Sequence, residues 1–300
     1  MLPFRFGVYS SVAPTMSAWR DQARTAETLG YSTLYVSDHL DAQFGPLVAT
    51  TVAAEATSTL HVGAVVLNND LRNPVVLAKE IATLGLAAEG RVEIGLGAGW
   101  LHSDYEQTGI ECDDLAVRVD RLAESIGVMK TLWGEGKATV TGTHYTLQGA
   151  QCEPRPASPP RVIVGGGSKR LLTLAAREAD TVGINATLSP DTTPEATLDR
   201  YDRCLTWIRE AAPERFDSLE LQIVAFATRI VSSSRAARTA TMLGLPGEDA
   251  LGLPIVLIGT TDELCERLLE RRERWDFSNI VVPAEAMESF APVVAQLAGT

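Results

Sequence analysis

An aspartate and a histidine stand side by side, Asp38 and His39, in the stretch STLYVSDHLD of residues 32–41. Leu34, Tyr35 and Val36 suit a buried strand, so the pair arrives where that strand leaves the core. An unperturbed imidazole titrates near neutral pH, which makes His39 a candidate acid/base, and Asp38 beside it can hydrogen-bond a ligand. Neighbours on a regular strand point to opposite faces, so both can serve one site only if the strand ends by Ser37. A plainer reading stays open, in which Asp38 caps a turn and His39 is a surface residue. A metal site on Asp38, His39 and Asp41 has less support. The chain has 4 His, and no H-x-x-x-H or facial-triad spacing occurs. No metal is expected.

Three further stretches carry possible chemistry. IGLGAGW (94–100) imitates a dinucleotide fingerprint but fails it, because Trp100 stands where the third glycine belongs and the motif follows a fourth strand. Its glycines suit a close approach of backbone to a ligand, or crowding relief. Trp100, with Tyr105 after it, is a candidate wall of a substrate pocket; packing under a loop is the alternative. VIVGGGSKRLL (162–172) runs Gly165, Gly166 and Gly167 into Ser168 and Lys169 at a helix start. Unpaired amides there, with a lysine, favour an anion such as phosphate over a mere tight turn. VVLNNDLRNP (65–74) places stiff, apolar Val65 and Val66 at a strand end. They are either core packing or a flat platform under an aromatic cofactor.

The elements that must position these residues alternate. Strands are expected at 4–10, 33–37, 61–67, 91–97, 161–165, 181–185, 219–228 and 279–283, several of them near-continuous apolar runs of the kind that parallel, doubly covered strands show. Helical spacing marks 17–29, with Ser17 as N-cap and Gly30 at its end, and 73–90, opened by Asn73 and Pro74. It also marks 114–136 and 193–212. Eight βα repeats predict a (β/α)8 TIM barrel, with an open doubly wound sheet as runner-up. Residues 137–160 read as a hairpin and a Pro-rich connection, and 232–260 as mixed helix and loop. Both are insertions expected at the C-terminal mouth. No linker divides the 300 residues, so one domain over 1–300 is expected.

Composition narrows the class. A net charge of −12 disfavours nucleic acid and anionic membrane surfaces as partners, leaving a small-molecule substrate. The 4 Cys form no CxxC pair, the start shows no secretion signal and no apolar run is long enough to span a bilayer, which predicts a cytoplasmic protein with reduced thiols. Arginines number 22 against 4 lysines, the bias of a GC-rich genome such as those of actinobacteria.

Taken together and in order, Asp38–His39, GAVVLNNDLRNPVVLAKEIATL, GRVEIGLGAGW with DYEQTGI, VGGGSKR and FSNIVVP resemble the luciferase-like flavin and deazaflavin oxidoreductases, above all the deazaflavin-dependent branch. The resemblance implies a (β/α)8 barrel, often a homodimer, that binds 8-hydroxy-5-deazaflavin (coenzyme F420) or, alternatively, FMN. It implies hydride transfer between that ring and a small organic substrate. The ring would lie over a bulge in strand 3, often with a non-proline cis peptide, which maps onto Val65 and Val66. Asp38 would bond the cofactor, His39 would face the reacting centre, and Gly165, Gly166, Gly167, Ser168 and Lys169 would hold its phosphate. In the sugar-phosphate and alcohol dehydrogenases of the branch a Glu follows the last glycine of the strand 4 motif. Here that position is Trp100, so an acidic partner, if the reaction needs one, must come from elsewhere. Other readings are an FMN-dependent monooxygenase fed by a separate reductase, a flavin-binding barrel without catalysis, and a phosphate-handling lyase. A Schiff-base lyase needs an inner-strand lysine, and Lys79, Lys130, Lys137 and Lys169 fall on helices or loops.

Overall fold

The structure, a computed structural model, describes residues 1–186 and 192–300. Eight strands form a closed barrel: β1 (Arg5–Tyr9), β2 (Thr33–Val36), β3 (His61–Asn68), β4 (Val92–Gly97), β7 (Arg161–Gly166), β8 (Thr181–Ile184), β9 (Glu220–Val224) and β12 (Phe277–Pro283). Their order around the sheet is β1-β12-β9-β8-β7-β4-β3-β2, so the chain has the expected (β/α)8 fold. The remaining strands make two small sheets. β5 (Lys137–Thr141) and β6 (Thr146–Gln151) form the antiparallel hairpin read from the sequence. β10 (Ala227–Ile230) and β11 (Val256–Gly259) pair in parallel.

That second pair corrects the expectation of one strand over 219–228. β9 stops at Val224, the Thr228 hydroxyl donates to the Ala225 carbonyl at 2.7 Å, and Phe226 turns out to solvent. The chain then resumes as β10 against the apolar run IVLIG, where the sequence predicts mixed helix and loop. Ser17 is corrected too. Helix α1 (Met16–Thr28) already contains it, and the side chain that caps the first turn is Thr15, which accepts from the Ala18 amide at 3.1 Å.

By their contacts the residues fall into two units, one of Met1–Ser10, Thr25–Thr33 and Gly166–Thr300, the other of Ser11–Arg24 and Leu34–Gly165. The second unit holds β3, β4, α2 (Pro46–Ala56), α3 (Pro74–Ala87), α4 (His102–Thr108), α5 (Leu115–Glu135) and the hairpin. Helix α3 begins as its sequence dictates: the Asn73 side chain accepts from the Val75 amide at 2.9 Å and Pro74 occupies the first turn. In α5 the buried residues, among them Val119, Leu122, Ile126 and Met129, recur at three- and four-residue steps and form its core stripe. The hairpin follows α5 and folds back along it. Glu124 of α5 accepts the Thr143, His144 and Tyr145 amides at 2.9, 2.9 and 3.2 Å, which fixes the hairpin tip. In the first unit β1, β12, β9 and β8 pair side by side and carry α6 (Lys169–Glu178), α7 (Pro194–Ala211), α8 (Ser233–Met242), α9 (Thr261–Trp275) and α10 (Met287–Leu297). Among the described residues no helix is long and apolar enough to cross a membrane, and no group of three or more His, Cys, Asp or Glu side chains is placed to hold a metal ion.

Candidate active site

Strand β2 ends at Val36, one residue earlier than predicted, and the chain leaves it with Ser37 and Asp38 buried and His39 half-buried. The Asp38 carboxylate faces the end of β3. It accepts the Asn68 amide at 2.8 Å and pairs through both oxygens with the Arg72 guanidinium, Nη2 to Oδ1 being 2.8 Å. Asp38 is therefore committed to holding the chain that follows β3. Whatever it contributes to a ring seated on β3 passes through that brace.

The brace closes a bulge. The Val65–Val66 peptide is cis, and the β3–β4 register slips between Ala64 and Leu67. Val62 to Ala64, Leu67 and Asn68 are buried, whereas Val65 and Val66 are only half-buried, so the bulge presents two apolar side chains outward. The glycines of β4 explain themselves here. A Cβ on Gly97 would lie 2.4 Å from Val66 Cγ2, and one on Gly95 would lie 2.1 Å from the Ala64 carbonyl oxygen. The G-x-G of IGLGAGW makes room for the neighbouring strand, not for a pyrophosphate.

His39 is held from behind. Its Nδ1 lies 2.8 Å from Asp104 Oδ2, and the Leu40 amide donates to the other oxygen of Asp104 at 3.2 Å. The Asp104 side chain is 3% exposed and that of His39 is 21% exposed. A ring nitrogen facing a buried carboxylate keeps its proton, so in neutral His39 the accepting nitrogen is Nε2. The Trp100 indole meets the imidazole edge-on, with ring centroids 5.5 Å apart and planes at 87°. Trp100 is 72% exposed, so it is a surface beside His39 and not a side chain packed under a loop.

Tyr105 stands behind this turn. It is buried, its hydroxyl donates to Asp70 Oδ2 at 3.0 Å, and Arg118 beside it clamps the Ala98 and Gly99 carbonyls at 3.1 and 2.6 Å. Burial, and then the Asp70 charge, push the phenol pKa up, so Tyr105 stays a proton-bearing donor. It shapes the turn that carries Trp100. A cleft of about 480 Å³ opens among Asp70, Arg72, Asp113, Arg121, His144 and Tyr145, and its lining includes neither His39 nor Trp100. Three of its charges are linked: Arg121 bonds Asp113 and lies 2.9 Å from Asp70.

Gly166, Gly167, Ser168 and Lys169 belong to the other unit, with Gly165 closing this one. Ser168 caps α6 by accepting the Leu171 amide at 3.3 Å, and Lys169 and Arg170 are exposed on the first turn. Two glycines have packing reasons. A Cβ on Gly166 would lie 2.3 Å from Leu171 Cδ2, and one on Gly167 2.2 Å from the Asn185 carbonyl oxygen. Arg200 Nη2 donates to the Gly167 carbonyl at 3.4 Å, which places a third cation at this turn.

The structure thus draws Asp38, His39, Val65, Val66, Trp100 and Tyr105 into one unit and ties them together through Asn68, Asp70, Arg72 and Asp104. The sequence reading missed these four. Arg72 and Asn68 sit in the quoted LNNDLRNP stretch. Asp104 is separated from His39 by 65 residues and no spacing rule links them.

A family model described as luciferase-like monooxygenase matches residues 1–273. The F420-dependent glucose-6-phosphate dehydrogenase of Amycolatopsis mediterranei (strain U-32) is 31% identical over 168 residues, 53% of this chain and 50% of that protein. The chain therefore spans about half of this relative's length. The protein of the same description from Nakamurella multipartita is 28% identical over 295 residues, 92% of this chain and 84% of the relative. Among solved structures, the coenzyme F420-dependent tetrahydromethanopterin reductase of Methanopyrus kandleri has a TM-score of 0.78 at 18% identity, over 99% of this chain and 98% of that one. At that identity the likeness is one of fold.

Proposed function

Because the chain belongs to the luciferase-like monooxygenase family, we propose that it is an oxidoreductase moving a hydride between coenzyme F420 and a small organic substrate. The observation that carries the reading is His39, pinned through Nδ1 by buried Asp104 and still 21% exposed, in the same unit as a β3 bulge that offers Val65 and Val66. That curated relatives are described as F420-dependent supports the choice of cofactor. The residues fit such a group. Within one unit two half-buried valines suit a flat ring; within the other, taken by itself, the capped start of α6 with Lys169, Arg170 and Arg200 suits a phosphate.

When bound, the deazaflavin gives or takes the hydride at C5. The chain's own part is positioning and proton handling. Asp38 and Arg72 fix the bulge under the ring. Asp104 fixes the His39 tautomer, and His39 Nε2 takes the proton from a substrate hydroxyl or returns it to the oxygen. Tyr105 and Arg118 hold the turn that places Trp100 against His39. The partner is a small molecule, and the net charge of −12 favours neither nucleic acid nor membrane. A homodimer in the cytoplasm completes the reading, as the resemblance to the family implies.

Purification from a deazaflavin-making host, followed by the spectrum and mass of the retained cofactor, tests the proposal. Coenzyme F420 is the expected species. Retained FMN with oxygen-dependent turnover would replace this reading with the monooxygenase one.

A further inference from the structure

Trp100 is 72% exposed yet has a fixed place, its ring edge-on to His39 at 5.5 Å. Leu40, next to His39, is 43% exposed. His39 is therefore flanked by exposed apolar surface. The acid in contact with His39 is Asp104, and it sits behind the ring on Nδ1. No contact of His39 or Trp100 found among the described residues involves Lys or Arg. Three arginines tied to the turns of this site are committed: Arg72 to Asp38, Arg118 to the Ala98, Gly99 and Asp113 carbonyls, and Arg121 to Asp70 and Asp113. A phosphorylated substrate seated at His39 would gain no ion pair from these committed arginines. A flat apolar ring would instead bury surface on the indole at little ordering cost.

We propose that Trp100 sets the substrate class: a flat, uncharged, conjugated carbonyl compound, or its alcohol, that lies on the indole and points its oxygen at His39 Nε2. This rests on the proposed function. In the reducing direction the carbonyl carbon gains a hydride and forms a C–H bond, reduced deazaflavin being the donor that is oxidised. The C=O π pair moves to oxygen, which takes the proton from protonated His39 Nε2. The product is the alcohol, and His39 is left neutral and reprotonated from water. The reverse direction runs the same atoms backwards. Trp100 thus separates this chain from the sugar-phosphate specificity by which its relatives are described.

The test is binding, read independently of turnover. The F420-loaded protein is titrated calorimetrically with 1-indanone, cyclohexanone and glucose 6-phosphate, for the parent, Trp100→Ala and Trp100→Phe. Cofactor content of every sample is read from its absorbance. The inference expects the parent to prefer 1-indanone over both other probes. It expects Trp100→Ala to weaken indanone binding about tenfold or more and Trp100→Phe to retain most of it. Unaltered indanone affinity in Trp100→Ala, no indanone binding by the parent, or tighter binding of glucose 6-phosphate would each overturn it. Failure of the parent to load F420 at all would instead overturn the proposed function, so the two failures are told apart.

Discussion

In the proposed reaction His39 works through one ring nitrogen, since Asp104 lies 2.8 Å from the other. Replacing His39 by Ala should lower kcat by about 10²–10⁴-fold on the parent's best substrate while leaving F420 affinity near the parent value. Asp104→Asn is the finer test. Its amide would donate to Nδ1, move the proton to Nε2 and so remove the accepting nitrogen. A loss of roughly 10–100-fold in kcat is expected, with the tautomer change visible in the ¹⁵N shifts of the His39 ring. If both variants melt earlier but turn over at the parent rate, the pair only stabilises the turn. The type and placement of Asp38 and His39 made them legible in the sequence. Asp104 was not, because a carboxylate in a short polar helix carries no mark of the ring it meets. Asp38 was legible as a residue, but its pairing with Arg72 depends on how the chain turns after β3.

At the scale of elements, the bulge of β3 and the glycines of β4 are one device. Gly97→Ala would put a Cβ 2.4 Å from Val66 Cγ2. We expect it to cost about 1–3 kcal/mol in urea unfolding and to weaken cofactor binding, with much of both recovered in the Gly97→Ala/Val66→Ala double variant. Lack of recovery would place the strain elsewhere. The hairpin gives a pH test. Burial raises the Glu124 pKa, but the His144, Thr143 and Tyr145 amides outweigh it and hold the carboxyl below its usual range. A group depressed on folding stabilises above its unfolded pKa and loses that contribution as pH falls through the folded one. Melting temperature should therefore drop as the solution is acidified below the ordinary glutamate pKa, and drop less steeply in Glu124→Gln. Parallel pH curves for the two proteins would contradict the hairpin clasp. The eight barrel strands could be read from their apolar runs because burial on both faces leaves few polar positions. β10 and β11 could not, since the break after β9 rests on the turn at Ala225–Thr228, and IVLIG reads equally well as buried loop.

The whole molecule unites an acidic chain of net charge −12 with a proposed anionic cofactor, so any phosphate must be met by local groups and not by the overall field. The capped start of α6, with Lys169, Arg170 and Arg200, is the local exception that the proposal uses. The order of motifs along the chain was enough to name the family, because several of them fall at the ends of barrel strands, where function collects. It also placed deazaflavin ahead of FMN, although a flat apolar seat by itself suits either ring. Competitive titration of the apo protein with coenzyme F420 and FMN, followed by their distinct absorption, tests the central claim most directly. The account predicts F420 binding at least about tenfold tighter than FMN, a difference of roughly 1.4 kcal/mol, and an F420 affinity little changed in His39→Ala. FMN binding as tightly as F420 or more tightly would contradict it.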